Sequence, residues 1–477
     1  MTIDHTLIDR PAGERMADKP AAYFGNSMTE MHSIPWRDLS KLQLEAAKMR
    51  FATLRDRVPI LKKLADSAGI TNIDKIEDLV PLLFDHTVYK SYPASLLSDY
   101  RFDALTRWLD KLTTHDLSKF DASGLDSLDD WLEKLDAETP LRVCHSSGTS
   151  GTMSFLPMAV DEVAAFRDTF WPGQFQKFGG PVTEPDPDGI HVITPNFSSG
   201  RSSHLRANDF LRSHIARSEE KFHAAYPHRM SSDVLYLAGR LRAAAAKGES
   251  EKLTLSPTLL KRKAEFESLQ KLMPEMMEAF MQEVIGTLEG KRVLIQATWN
   301  IHLGFADKGL ARGLTNFFAP DSCLLSGGGG KGMVMPDDWQ EKVLRFTGVP
   351  ELVSVYGMTE APAGHRMCEH GQYHIAPWTV PFVLDPQTGE SLPREGVVTG
   401  RMAFFDLVAR SHWGGFVTGD EVTMHWDCDC PCGRTSPYLD KAIERYSEKS
   451  GGDDKITCAA TAEAHQEALN YLVEFEV

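Results

Sequence analysis

The sequence predicts an α/β fold with a helical N-terminal part, an α/β core and a β-rich region. Three observations predict it. Apolar residues recur at helical spacing near the N-terminus, short apolar strands alternate with helical stretches through the middle, and strands with turns take over from Trp378. In chain order, residues 1–20 read as a polar, flexible tail. From Leu39 to Ala68, "LSKLQLEAAKMRFATLRDRVPILKKLADSA" is helical with an interruption at Pro59, and residues 20–135 read as mainly helical. "GIHVITPNF" (189–197) reads as a strand, and residues 258–290 as a long helix with a break expected at Pro274. "KRVLIQAT", "SCLLSGGGG" and "ELVSVYGMTE" read as buried strands ending in turns; helices between them favour parallel pairing. "WTVPFVLD", "GVVTGRMAFFDLV" and "GGFVTGDEVTMHWD" supply the β-rich region.

A chain of 477 residues exceeds one ordinary core, so two or more subdomains are expected. The formal net charge of −16 argues against general nucleic-acid binding and against a polybasic membrane anchor. It leaves room for an anionic ligand, because a local loop can hold phosphate on an acidic protein. Seven cysteines are few for this length, and three crowd into "CDCPC". That usage fits a reducing compartment and a metal or reactive-thiol site better than a disulfide framework. The N-terminal stretch has no signal-peptide apolar region, and no apolar run approaches the roughly 20 residues that span a bilayer. The expected location is cytoplasmic.

Four loops could carry chemistry. In "HSSGTSGTMSF", small residues let consecutive backbone N–H groups point into one concavity, and hydroxyls add donors; such a nest binds phosphate oxygens. Composition alone favours a solvated Ser/Gly loop. "SGGGGKG" (326–332) fits G-x-G-x-x-G through Gly327, Gly329 and Gly332, yet glycine follows Lys331, so the Walker pattern fails. "VYGMTE" (355–360) places an aromatic face, a hydroxyl and a carboxylate together, where Glu360 could hold Mg²⁺ against phosphate. "VTGDEV" (417–422) places Asp420 in a tight turn, where a carboxylate can accept two ribose hydroxyls.

Singly these loops are unspecific, but their order is specific. SSGTSG, a glycine-rich strand end, YGMTE and TGD in one chain resemble the adenylate-forming superfamily of acyl-CoA synthetases and peptide-synthetase adenylation domains. The pairing "MCEHGQYHI … CDCPCGRTSPYL", the "SGGGGKG" run and the helical "LVPLLFDHTVYKSYP" (79–93) resemble the branch of phenylacetate-CoA ligases and bioluminescence acyl-protein synthetases. The resemblance spans roughly residues 40–440. It implies an adenylation domain over residues 21–440, then a hinge and shortened C-terminal lid over 441–477. It further implies ATP-dependent conversion of a carboxylic acid, aryl or fatty, to an acyl-adenylate with release of pyrophosphate. Acyl transfer to a thiol follows, either coenzyme A or the cysteine of a partner protein such as a reductase or carrier. An amide-forming ligase and a catalytically silent nucleotide-binding scaffold stay open as alternatives.

The residue roles follow from the same resemblance. Ser146, Ser147, Gly148, Thr149, Ser150 and Gly151 would hold the β- and γ-phosphates of ATP. Gly328, Gly329 and Gly330 would line the adenine side, with Tyr356, Gly357 and Met358 flanking it. Thr359 would meet the α-phosphate, Glu360 the Mg²⁺ and Asp420 the ribose. Trp299 and His302 are candidates for the carboxylate-side wall, with a satisfied core histidine equally open for His302. Cys368, His374, Cys430 and Cys432 offer the four N/S ligands of a structural Zn²⁺ site, with Cys428 as a substitute for Cys430 and unmetallated buried cysteines as the plain alternative.

Two departures stand out against the resemblance. No lysine ends the phosphate loop, since Thr152, Met153, Ser154 and Phe155 follow Gly151. Only about forty residues follow "CGRTSPYL" (432–439), so the lid's distal lysine has no counterpart; Lys331 or Lys455 would have to substitute. "SGGDDKI" (450–456) is similar to the family hinge through Asp453 or Asp454, with glycine where arginine is expected. Cys458 is a candidate acyl acceptor, with an incidental small strand residue as the alternative.

Overall fold

Proline placement and one close helix contact organise the N-terminal part. The computed structural model describes residues 10–146, 152–246, 248, 255–327, 335–449 and 471–472. Its first helices are α1 (Ala12–Asp18), α2 (Pro20–Tyr23), α3 (Met28–Ser33), α4 (Trp36–Leu54) and α5 (Pro59–Ser67). Pro59 is the first residue of α5, where its missing N–H would have had no helical partner, so the expected interruption falls at a helix start. The tail expected over residues 1–20 is corrected from residue 12 onward. Met16 and Ala17 of α1 are fully buried, and the Gly13 N–H donates to Glu45 on α4 at 2.6 Å. A short strand β1 (Phe84–Asp85) and helices α6 (Ser95–Ser98), α7 (Phe102–Asp110) and α8 (Leu128–Glu138) complete this part.

The core opens with a small antiparallel hairpin, β2 (Cys144–His145) and β3 (Phe155–Leu156), followed by α9 (Val160–Phe175). Then come β4 (His191–Gly200), α10 (Ser203–Phe210), β5 (Phe222–Met230), α11 (Ser232–Ala246) and α12 (Pro257–Thr287). The alternation continues through β6 (Val293–Ala297), α13 (Trp299–Leu310), β7 (Cys323–Gly327), α14 (Trp339–Thr347), β8 (Leu352–Met358) and β9 (Ala361–Arg366). Described strands form one sheet in the order β5-β4-β6-β7-β8-β9, parallel except for β9 against β8. Val192, Ile193, Val293, Leu294, Ile295 and Leu324 are fully buried, as expected when helices cover both faces of a parallel sheet.

Beyond β9 lie β10 (Tyr373–His374), β11 (Thr379–Leu384), β12 (Val397–Asp406), β13 (Gly415–His425), β14 (Tyr438–Leu439) and β15 (Glu444–Arg445). They form a largely antiparallel sheet in the order β10-β14-β13-β12-β11, with β1 and β15 also paired to β13. The β-rich region therefore begins near Trp378, as the pattern change predicts, and the α/β class is the observed one.

Two local expectations are corrected. The helix expected to break at Pro274 runs unbroken from Pro257 to Thr287 as α12. Gln270 and Pro274 both lie on its exposed side, so the carbonyl left without an N–H partner faces solvent rather than a dry core. Asp420 lies inside β13, not in a tight turn. The glycine before it is absorbed as a bulge: residues 418–420 lie between the Glu421–Arg401 and Val417–Ala403 pairs of β13 with β12, while Asp420 stands opposite Arg445 of β15. Among the described residues, no helix is long and apolar enough to cross a membrane.

Candidate active site

In open α/β sheets, ligands bind outside the carboxyl ends of the parallel strands, near the point where strand order reverses. Here the chain passes from β4 to β5 on one side, then returns to the other side of β4 as β6. The residues singled out in the sequence cluster at these strand ends. Trp299 follows β6, Gly327 ends β7, and Tyr356, Gly357, Met358, Thr359 and Glu360 close β8.

The serine-rich loop is the connection of the β2–β3 hairpin. Ser146 and Ser154 close its neck twice: the Ser146 N–H donates to the Ser154 carbonyl at 3.1 Å, and the Ser154 N–H donates to Ser146 Oγ at 3.0 Å. Tyr92 pins the far side, donating its hydroxyl to the Met153 carbonyl at 2.8 Å. Ser147, Gly148, Thr149, Ser150 and Gly151 lie outside the described residues, as do Gly328, Gly329, Gly330, Lys331, Asp453, Asp454, Lys455 and Cys458.

The residue before this loop, His145, was not legible as functional in the sequence. It is fully buried, and burial holds its imidazole down to about 4, so the ring is neutral at physiological pH. Nδ1 faces the Ser146 carbonyl at 2.8 Å and must be the donor, because a carbonyl can only accept. Nε2 then accepts from Ser232 Oγ at 3.0 Å. The loop's first carbonyl is thereby fixed to the start of α11.

Thr359 is joined to the same neck. Ser203, at the start of α10, donates its hydroxyl to Thr359 Oγ1 at 2.8 Å and lies 3.5 Å from the His145 carbonyl oxygen. Glu360 lies close enough to Tyr89 that its carboxylate, together with Glu162, adds to the burial that raises the Tyr89 phenol well above its usual range.

Tyr356 and Asp420 meet directly. The Tyr356 hydroxyl donates to Asp420 Oδ2 at 2.9 Å, while Arg445 Nε lies 3.4 Å from Oδ1. Desolvation and the adjoining carboxylate push the Tyr356 phenol well above its ordinary value, so it remains a donor. Its ring lies 6.1 Å, centroid to centroid, from both His365 and Tyr373.

The two wall candidates divide differently. His302 is buried, directs Nε2 at the Leu325 carbonyl at 3.1 Å, and is held down to about 4 by burial. It fastens α13 to β7. Trp299 stacks on Trp339, with ring centroids 5.2 Å apart.

The cysteine cluster is brought together from two distant segments. One ligand atom from each of Cys368, His374, Cys430 and Cys432 lies within 4.8 Å of the others. A tetrahedral centre with Zn–S bonds of about 2.3 Å separates its sulfurs by about 3.8 Å; Cys368 and Cys430 Sγ are 3.9 Å apart. His374 Nε2 is 3.2 Å from Cys432 Sγ, and its Nδ1 is 3.0 Å from Ser436 Oγ, so the nitrogen aimed at the cluster is backed by a hydroxyl on the other. Desolvation alone would raise the Cys432 thiol, but hydrogen bonds from His374 and Arg434 bring it down to about 6, toward the thiolate that a metal requires. Cys428 stands beside this group, not in it. β10 links the cluster to the end of β8, because Tyr373 faces Tyr356 while His374 faces the thiols.

No protein-family model matches the chain, and no curated protein matches it in sequence. Among solved structures, it is similar to an open conformation of 2-hydroxyisobutyryl-CoA ligase in complex with 2-HIB-AMP and CoA. That likeness has 13% identity and a TM-score of 0.47, and covers 88% of this chain and 72% of the other. The same ligase in its postadenylation state, in complex with R3-HIB-AMP, gives 12% identity and a TM-score of 0.46 over 87% and 69%. ATP-bound MatB from Rhodopseudomonas palustris gives 14% and 0.30 over 62% and 46%.

Proposed function

We propose that this protein activates a carboxylic acid with ATP, forming an acyl-adenylate and pyrophosphate, and passes the acyl group to a thiol. The observation that carries this reading is the convergence, at the carboxyl ends of β4 and β8, of the Ser146 neck, Ser203 and Thr359, beside the Tyr356–Asp420 pair. The physical demand of the reaction fits such a site. A carboxylate oxygen attacks the α-phosphorus, so two anions must approach, and oriented donors must neutralise the developing charge.

Within this reading, the serine-rich loop offers N–H and hydroxyl donors to the leaving pyrophosphate. The Thr359 hydroxyl donates to an α-phosphate oxygen. Asp420, oriented by Tyr356, accepts from the ribose hydroxyls. Glu360 is the carboxylate available to Mg²⁺, which when bound would offset phosphate charge. The four-residue Cys/His cluster fits a structural Zn²⁺ that ties the segment after β9 to the turn before β14; its distance pattern and the lowered Cys368 and Cys432 thiols support this, and it takes no chemical step.

The test is carboxylate-dependent exchange of labelled pyrophosphate into ATP, run across aryl and fatty acids. Exchange is expected with at least one acid. Thr359→Val and Asp420→Asn are each expected to lower it about 10- to 100-fold, the scale of a hydrogen bond to a charged group. ATP binding without exchange on any acid would sink the enzyme reading and leave the nucleotide-binding scaffold.

A further inference from the structure

We infer that Ser203 is a positioning residue that sets the direction of the Thr359 hydroxyl and couples it to the neck of the serine-rich loop. This rests on the acyl-adenylation reading above and adds a residue that no motif marks.

The inference starts from donor bookkeeping. A threonine hydroxyl has one proton and two lone pairs. Ser203 Oγ donates to Thr359 Oγ1 at 2.8 Å, which occupies a lone pair and leaves the Thr359 proton to point away from Ser203. A lone hydroxyl at a strand end rotates among three staggered positions, and one incoming donor removes the orientation that would clash with it. Thr359 is thus left to donate away from Ser203, and in the proposed site a phosphate oxygen would take that proton.

Ser203 is itself held by a rigid frame. Its second neighbour, the His145 carbonyl at 3.5 Å, belongs to a residue fixed on three other sides. His145 donates its backbone N–H to Arg201 at 3.2 Å and uses both ring nitrogens, on the Ser146 carbonyl and Ser232. Arg201 and Arg206 flank Ser203 and both engage Asp136 of α8, at 2.9 and 3.0 Å; Arg206 also donates to the Val143 carbonyl at 2.8 Å. The turn from β4 into α10 is therefore fastened to the strand entering the loop. The Ser203 hydroxyl is the link from that frame to the YGMTE turn. Arg201 and Arg206 are both paired with Asp136, and that pairing locates the backbone around Ser203.

A double-mutant cycle on the full chain tests it, with Ser203→Ala, Thr359→Val and the double variant assayed by pyrophosphate exchange on the acid that wild type accepts. Ser203→Ala is expected to lower kcat about 3- to 10-fold, the range of a neutral hydrogen bond, while KM for ATP changes less than about twofold. Ser203→Thr, which keeps the hydroxyl, is expected to restore most of kcat. The double variant should be no slower than Thr359→Val alone, because Ser203 has nothing left to orient. A melting scan accompanies each variant; if Ser203→Ala does not fold, Ser203→Cys, a weaker donor of nearly the same size, takes its place with the same expected non-additivity. Wild-type kcat in a folded Ser203→Ala, or losses that simply multiply in the double variant, would overturn the inference while exchange by wild type still upholds the reaction. Absence of exchange in wild type would instead remove both.

Discussion

Glu162, near the start of α9, shows what one buried carboxylate does in this fold. It is 2% exposed, yet it accepts from the backbone N–H groups of Ala159 and Ser411, each at 2.7 Å, and from the Ser411 hydroxyl, with His412 Nδ1 at 3.2 Å. Desolvation would raise its pKa, but His412 and these donors outweigh it and hold the group at about 2. The unfolded value is near 4.5, so the folded state favours the ionised form. Its stabilisation is present above pH 4.5 and is lost as pH falls toward 2; the shift corresponds to about 3 kcal/mol as an upper figure. Asp406 has the opposite sign, because burial raises it to about 6 from 3.8. Its contribution is present below 3.8 and is lost as pH rises through 6. Urea unfolding from pH 7 to pH 3 checks both. Glu162→Gln is expected to cost about 2–3 kcal/mol at pH 7, with the gap to wild type closing below pH 4. Asp406→Asn is expected to change the limb between pH 4 and 6 and leave the acid limb intact. An acid limb unaltered by Glu162→Gln would contradict this account.

At the scale of elements, the Cys/His cluster extends beyond the two segments that supply it. Ser436 Oγ lies 3.0 Å from His374 Nδ1 and 2.8 Å from His32 Nδ1, on α3, which is 404 residues away in sequence from Ser436. The Thr435 N–H donates to the His32 carbonyl at 2.8 Å. Metal binding at the cluster should therefore order α3 as well as β10. Elemental analysis is expected to give about one zinc per chain, lost in Cys432→Ser. Hydrogen exchange at residues 28–36 and 373–376 should accelerate on chelation, while β4, β6 and β7 stay protected. A folded, metal-free wild type with unchanged exchange would refute it. What the sequence could and could not convey follows the same line. C-x5-H and C-x-C are local spacings, so the four residues that cluster were readable, as were β6, β7, β8 and the antiparallel strands, whose apolar runs are bounded by turn residues. His32, Ser203 and His145 were not, because each acts through a partner from another segment and none has a local signature. Pro274 misled because its cost depends on exposure, and Asp420 because a T-G-D turn signal is also satisfied by a bulge inside a strand. The one available cue for Ser203 was topological: it is a hydroxyl placed just beyond a parallel strand, at the edge where ligands bind.

At the scale of the whole molecule, two sheets of different construction meet at the candidate site. The parallel sheet contributes Tyr356 from β8, and the antiparallel sheet contributes Asp420 from β13; their hydrogen bond of 2.9 Å spans the junction. That bond has two separable consequences. As a tie between sheets it stabilises the fold, and under the proposed function it would also orient the carboxylate that meets the ribose. Tyr356→Phe keeps the ring beside His365 and Tyr373 and removes only the hydroxyl, leaving a mostly buried carboxylate with one donor fewer. The expected cost is about 1–2 kcal/mol in urea unfolding. If the orienting role holds, calorimetric titration with ATP should also weaken about 3- to 10-fold, and Tyr356→Phe combined with Asp420→Asn should bind no worse than Asp420→Asn alone. A loss of stability with unchanged ATP affinity would make the pair a tie only, and would move the ribose contact away from Asp420. Loss of affinity with no loss of stability would show that the sheets are joined well enough by their shared core, and that this hydrogen bond serves the ligand.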